Sequence, residues 1–199
     1  MLDVGAGAGA ASLALVPPAA RIVGVDESAT MLEAFAAAAD ERGVRHSEVC
    51  GRWPDVAPSA PDADVVVCHH VFYNVATLAP FALALSDHAG RRVVAELTAV
   101  HPQTSLNPLW RRFHGLERPS GPRAEDALAV LAEAGIEAHL ERFGRPPRWS
   151  GRDRAEVVAF VRRQLCLPLD REAEVDDALG AEPAIAPDEA VTLWWDVRP

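Results

Sequence analysis

A glycine-rich turn near the start of the chain constrains the fold more than any other feature. Residues 3–9 read Asp-Val-Gly-Ala-Gly-Ala-Gly, between the short apolar run 2–4 and an alanine-rich stretch at 10–15. Glycine adopts positive φ angles without strain, and its missing Cβ lets other groups approach the backbone closely. Such a turn between a strand and a helix is typical of the first crossover in a parallel α/β sheet. The sequence therefore predicts an α/β fold with a binding crevice at this turn.

The rest of the chain alternates between short β-branched runs and stretches with helical spacing, a pattern typical of parallel sheets. Further strands are predicted at residues 21–25, 45–49, 64–68, 92–97, 137–142 and 191–197. Helices are predicted at residues 10–15, 28–43, 80–88, 124–134, 152–165 and 170–179, with a long loop at 101–122. The length of 199 residues favours one domain. We expect a core at residues 1–142, a helical insertion at 143–190 and a final strand at 191–197.

Charge and cysteine content exclude several classes of protein. The net charge of -10 gives an acidic surface, which repels the phosphate backbone of nucleic acids. Cys50, Cys68 and Cys166 form no CxxC pair, so we expect free thiols and no metal site. The apolar start carries Asp3 and lacks the basic residues of a signal peptide, and no apolar run is long enough for a membrane span. We expect a cytoplasmic protein with a small-molecule substrate and no nucleic-acid or membrane partner.

Two acidic residues flank the predicted crevice. Asp26 follows the glycine turn by about 20 residues and ends the next strand, where a carboxylate can accept hydrogen bonds from ribose hydroxyls. Asp3 precedes the glycines and would attract an ammonium group but repel a pyrophosphate. The spacing of Gly5, Gly7 and Ala10 also fits the dinucleotide pattern. An NAD-binding oxidoreductase fragment is therefore the alternative, which Asp3 disfavours.

Four motifs follow in order: LDVGAGAG at residue 2, GVDES at 24, ADVVVCHHVFYNV at 63 and RRVVAELT at 91. Together they resemble the class I S-adenosylmethionine-dependent methyltransferases, over residues 2–142 and the last strand. The resemblance implies a Rossmann-like three-layer sandwich with a mostly parallel seven-stranded sheet and an antiparallel last strand. It also implies S-adenosyl-L-methionine as cofactor, at the ends of the first two strands, and an unidentified small-molecule methyl acceptor over the fourth strand.

The same resemblance assigns cofactor contacts to Asp3, Gly5, Ala6, Gly7, Gly9, Asp26, Glu27, Trp53 and His69. Asp3 and the glycine loop would face the methionine part, Asp26 would bind the ribose, and Glu27 would lie against the adenosine. Family members often have an acid after the third strand that binds the adenine amino group, but Arg52 stands there in this chain. Trp53 either stacks on the base or packs against the sheet.

His69, His70, Tyr73 and Asn74 directly follow the fourth predicted strand. In the family, the sulfonium meets the substrate at this place. A histidine can remove the proton of a hydroxyl or amine nucleophile because its pKa lies near neutrality. We therefore expect His70 and Tyr73 to be catalytic. The alternative is that both are structural, and adjacent histidines at a strand end point in different directions.

Later segments leave two further hypotheses open. The loop at 101–122 contains Trp110, Arg111, Arg112, His114 and Arg118, which either hold an anionic substrate or pair with surplus carboxylates, and the same holds for Trp149, Arg152 and Arg154. The chain starts at the first predicted strand, so we also expect that an N-terminal segment is missing and that this form binds cofactor weakly. A non-catalytic, methyltransferase-like binding domain is the corresponding alternative.

Overall fold

The computed structural model describes residues 1–145, 151–180 and 189–197. The strands in these residues are β1 Leu2–Val4, β2 Arg21–Asp26, β3 Arg45–Cys50, β4 Ala63–His69, β5 Ala89–Thr98, β6 His139–Gly144 and β7 Glu189–Asp196. The α-helices are α1 Ala29–Glu41, α2 Leu78–Asp87, α3 Asn107–His114, α4 Ala124–Glu133, α5 Arg154–Gln164 and α6 Glu172–Leu179. In the described parts of the chain, no helix combines the length and the apolar character needed to cross a membrane.

The strands form one sheet in the order β3-β2-β1-β4-β5-β7-β6. Strands β1 to β5 pair in parallel, and β7 runs antiparallel between β5 and β6. Because the chain crosses from β3 back to β4 beside β1, the carboxyl ends of β1 and β4 adjoin. Ligands of open α/β sheets bind where the strand order reverses in this way. The predicted α/β fold, with a mostly parallel sheet and an antiparallel last strand, is confirmed.

Two predicted elements were wrong. The helix predicted at 10–15 is only a short 3-10 helix, Ser12–Leu15, since Pro17 and Pro18 follow it at once. The loop predicted at 101–122 contains α3. Pro108 lies in the first turn of α3, where its missing N–H is not needed, and Gly115 ends the helix with a φ of 64°.

Helix α1 fixes the glycine turn from one side of the sheet. The Ser28 side chain caps the helix by accepting a hydrogen bond from the Met31 N–H. Leu32 and Phe35 are buried on its inner face, whereas Met31 is 47% exposed. Phe35 therefore joins the core directly behind the turn.

The chain forms two compact units. The first contains residues 1–97, 124–142 and β7 from residue 191, and the second contains 98–123 and the described residues of 143–190. The first has a buried core around Ile22, Phe35 and Ala39. The second has its own core around Val161, Leu165 and Val175. The predicted insertion at 143–190 thus shares its unit with a segment that was not predicted to join it, and Trp149 lies outside the described residues.

Candidate active site

A cavity of about 410 Å³ opens at the carboxyl ends of β1 to β4. This volume lies in the range of small-molecule sites. Val25, Val71 and Phe81 contribute apolar wall, and polar groups come from the strand ends and the loops that follow them. All lining residues belong to the first unit. Five of the predicted cofactor residues line it: Gly5, Asp26, Glu27, Trp53 and His69.

The Asp26 side chain links the glycine turn to the β2–α1 loop through two hydrogen bonds. One carboxylate oxygen accepts the Gly7 N–H at 2.9 Å, and the other accepts the Ser28 N–H at 2.9 Å. A carboxylate has about four acceptor positions, so each oxygen keeps one for a further donor. The half-buried side chain faces the cavity. Asp26 can therefore accept two vicinal hydroxyl groups while it holds the turn.

The three glycines of the turn have different roles. A Cβ on Gly5 would lie 2.3 Å from Val71 Cγ2, so this glycine lets the loop after β4 approach. A Cβ on Gly9 would lie 2.8 Å from Phe35 Cδ2. Gly7 alone of the three would project a Cβ into open space, and its φ is 52°.

Gly9 and Ala6 lie in the packed part of the turn, and their predicted contact with the cofactor stays a prediction. Gly9 is buried against Phe35, and Ala6 is 7% exposed and belongs to the same core cluster. Neither residue is part of the cavity wall. Both serve packing, because the turn has to fit closely between the sheet and α1. Gly7 is also outside the wall, but its N–H reaches Asp26.

Asp3 is a buried carboxylate without compensation. It is 1% exposed and lies in β1, behind the wall to which Val4 and Gly5 contribute. Neither of its oxygens has a hydrogen-bond partner in good geometry, and the buried Ser12 Oγ has none either. Burial raises the pKa of Asp3 to about 6; the side chain and backbone N–H of Ser12 act in the opposite direction, and the charge of Asp26 adds to the increase. The prediction that Asp3 faces the methionine part of the cofactor stays a prediction.

The cavity wall also contains an exposed ion pair, Arg52 with Glu27, and the buried indole of Trp53. Arg52 Nε lies 3.9 Å from Glu27 Oε2, and both side chains are more than 70% exposed. Such a pair contributes little to stability. Trp53 is 6% exposed, and its Nε1–H donates to the Phe81 carbonyl oxygen at 3.3 Å. Most of the Trp53 ring therefore packs inside the protein, and only part of it reaches the wall.

His70, which also lies in the cavity wall, has a strained backbone conformation. Its φ of 60° lies in the left-handed region, which costs a residue other than glycine about 1–3 kcal/mol. Its N–H donates to the Glu96 carbonyl oxygen at 2.6 Å, and its Nε2 lies 3.4 Å from Glu96 Oε1. The Tyr73 ring stacks on it at a centroid distance of 6.4 Å. His70 lines the cavity and Tyr73 does not.

The neighbouring His69 differs from His70 in its environment. Burial lowers the pKa of His69, and the Glu96 charge only partly opposes this. The ring is therefore neutral at neutral pH, which suits the wall of a cofactor site but gives no cation there. Both histidines nevertheless contribute to the same cavity wall, although adjacent strand residues are expected to point in different directions.

Sequence reasoning missed Glu96, which approaches His70 from β5. The register pairs Glu96 with His69 across β4 and β5. A signal was present, because Glu96 is a lone acid near the end of the apolar run Val-Val-Ala-Glu-Leu. A charged residue at the carboxyl end of a parallel strand is a candidate site residue.

Most of the later arginines pair with carboxylates. Arg111 pairs with Glu117, and Arg112 Nη2 lies 3.0 Å from Asp177 Oδ2. Arg154 Nε lies 2.6 Å from Asp176 Oδ1. The interpretation as surface pairing therefore holds for these three arginines.

The sheet order and the glycine turn define a Rossmann-like domain, and the strand-end carboxylate lies in a cavity where such domains bind ligands. Residues 1–98 match the family model described as a methyltransferase domain. The first half of the chain is therefore similar to a methyltransferase domain, in line with the resemblance seen in the sequence. The predicted cofactor is that of the family. Curated proteins give no match to the chain.

Solved structures with low sequence identity share the fold. The YcgJ protein from Bacillus subtilis is 18% identical, with a TM-score of 0.60 over 100% of this chain and 91% of its own. Magnesium protoporphyrin IX methyltransferase from Synechocystis PCC 6803, with bound SAH, is 16% identical with a TM-score of 0.62 over 99% and 73%. Precorrin-6y C5,15-methyltransferase from Geobacter metallireducens is 15% identical with a TM-score of 0.51 over 98% and 78%.

Proposed function

We propose that the protein transfers a methyl group from S-adenosylmethionine to a small-molecule acceptor. The observation that carries this proposal is Asp26, which lines the cavity and whose oxygens each accept one backbone N–H, from Gly7 and from Ser28, and keep one acceptor position. Two free acceptor positions at a strand end match the two hydroxyls of a ribose. The small-molecule acceptor and the cytoplasmic location stay predictions.

The cavity residues fit the cofactor part by part. Asp26 would hold the ribose, and Glu27 and the edge of Trp53 would flank the adenine. The Gly7 position leaves room for the methionine part. Asp3 supplies a nearby negative charge that an ammonium group would compensate.

When bound, the cofactor supplies an electrophilic methyl group. The chain then has to orient the acceptor and take its proton, and orientation accounts for much of the rate in such displacements. We assign the proton transfer to His70. Glu96 would favour the protonated ring that forms, and stacking on Tyr73 would restrict its rotation. The strained backbone supports this role, because strain of this kind clusters at functional sites.

Binding of S-adenosylhomocysteine measured by calorimetry tests the cofactor assignment. Asp26→Asn keeps an acceptor oxygen but loses the charge, so affinity should fall at least about tenfold, since each charge-assisted hydrogen bond contributes about 1.5–3 kcal/mol. The matched control is Asp62→Asn, an exposed aspartate outside the cavity wall. Equal affinity of both variants would contradict the assignment. Tighter binding of NAD than of S-adenosylhomocysteine would favour an oxidoreductase instead.

Turnover is tested with labelled S-adenosylmethionine and a metabolite extract. His70→Gln and Glu96→Gln should both lower label transfer while S-adenosylhomocysteine affinity stays within about threefold, since neither residue is assigned to the ribose. Label transfer that is equal in wild type and both variants would refute the role of His70. Tight binding without any transfer by the wild type would identify a binding domain.

A further inference from the structure

Among its described residues, the second unit, hereafter the helical unit, contains one half-buried arginine whose charge no described carboxylate compensates. Three other half-buried arginines among its described residues have carboxylate partners: Arg154 with Asp176, Arg162 with Glu172 and Arg171 with Glu174. Arg118 has none in the described chain, although the protein carries a net charge of -10. In so acidic a protein, a half-buried cation without a carboxylate is informative, because burial makes a charge costly unless it is paired.

Arg118 contacts neutral groups instead. Its Nη1 donates to Gln103 Oε1 at 3.3 Å, and its Cζ lies 4.8 Å from the centre of the Trp110 ring. The Asn107 side chain donates to the carbonyl oxygens of Arg118 and Pro119, which fixes the backbone there. A guanidinium group has five N–H donors, so most of them stay available for another acceptor. The arginine is thus held in place but not neutralised.

Two further donors in the same segment are buried without hydrogen-bond partners. They are Trp110 Nε1 and Thr104 Oγ1. Buried polar atoms in folded proteins nearly always have a partner, and an orphan commonly marks the place of a water or an ion. An indole N–H can only donate, so its partner has to be an acceptor. Trp110 Nε1 therefore needs a hydrogen-bond acceptor, and the Thr104 hydroxyl can donate to an acceptor, as the Arg118 guanidinium can.

The positive charge of Arg118 acts on the nearby His101. Its Nδ1 accepts the Gln103 N–H at 3.2 Å, so the proton of the neutral ring lies on Nε2. Burial lowers the pKa of His101, and the nearby Arg118 charge lowers it further. The ring thus adds no positive charge to this segment.

We propose that Arg118, Trp110 and Thr104, hereafter the Arg118 cluster, bind an anionic group of a ligand, a carboxylate or a phosphate. Every group of the cluster offers N–H or O–H donors, and a guanidinium binds either anion through two parallel hydrogen bonds. The proposal goes beyond methyl transfer and does not depend on it, since the cluster lies wholly in the helical unit.

The test follows the Trp110 indole N–H by nuclear magnetic resonance, with the signal assigned through Trp110→Phe. Inorganic phosphate and sodium acetate are titrated separately at constant ionic strength, balanced with chloride. We expect a saturable shift with at least one anion, and the stronger response tells phosphate from carboxylate chemistry. In Arg118→Gln the affinity should fall at least about tenfold, as for loss of a charge-assisted contact.

Arg111→Gln is the matched control, because Arg111 lies in the same unit and already pairs with Glu117. It should keep the wild-type titration. No saturable shift with either anion would mean that water alone occupies the cluster, and an unchanged titration in Arg118→Gln would also overturn the proposal. S-adenosylhomocysteine affinity, measured on the same variants, should not change, so this proposal and the proposed function can fail separately.

Discussion

Replacing Asp3 with asparagine should stabilise the folded protein at neutral pH. The carboxylate is 1% exposed and neither oxygen has a hydrogen-bond partner. Asparagine has nearly the same shape and no charge, so it removes the cost of burying an anion. The perturbation therefore isolates the charge of Asp3 from its packing in β1.

The magnitude follows from the pKa of Asp3, which burial raises from 3.8 to about 6. The folded state then holds the proton over a pH range in which the unfolded chain has lost it. Stability from this group is complete below pH 3.8 and decreases as the pH rises towards about 6. Since one pKa unit corresponds to 1.36 kcal/mol, the loss above that range is about 3 kcal/mol. Asp3→Asn should recover up to this amount.

Urea unfolding at a series of pH values from 4 to 8 measures the effect, with the slopes checked for two-state behaviour. The free energy of unfolding of Asp3→Asn should exceed that of the wild type by about 3 kcal/mol at pH 8 and by little near pH 4. A variant that is less stable than the wild type at pH 8, or a difference that does not depend on pH, would refute the reasoning. If Asp3 compensates the cofactor's ammonium, the same variant should bind S-adenosylhomocysteine more weakly.

Two further predictions concern the glycine turn and the outer strand β3. Gly5→Ala should cost more stability than Gly7→Ala in urea unfolding, because only the Gly5 Cβ meets Val71, at 2.3 Å; adding Val71→Ala should restore part of the loss, and equal losses in both single variants would contradict the packing argument. The His46 pKa is raised by its hydrogen bonds to Glu48 and Asp40. The stability it contributes should therefore be complete below pH 6.5 and be lost as the pH rises through the higher folded pKa, and His46→Gln should flatten the unfolding free energy over that window.

The site-forming elements were predictable where one short motif determines both conformation and position. The glycine turn and Asp26 follow from local sequence, because a tight turn requires glycine and a strand end presents its last side chain at the sheet edge. The different structural roles of Gly5, Gly7 and Gly9 were not predictable from the sequence. Gly9 faces Phe35, which lies in another element, and Gly7 faces open space. Local sequence does not contain that difference.

Three other features were not predicted from the sequence: Glu96 depends on a long-range contact, whereas the His70 backbone and helix α3 lack a clear local signal. Glu96 reaches His70 only because β4 and β5 adjoin, and the positive φ of His70 has no signature in a run without glycine. Helix α3 was hidden by prolines that read as loop residues, although Pro108 occupies the turn of a helix where proline is favoured.

The two hydrogen bonds of Asp26 restrict how this position can evolve. A glutamate would keep the charge, but its extra methylene would move the oxygens away from the amides of Gly7 and Ser28. An asparagine would keep the reach and lose an acceptor. Homologous proteins should therefore retain aspartate at this position even where the preferred ligand changes, since Asp26 stabilises the conformation of the glycine turn whichever ligand is bound.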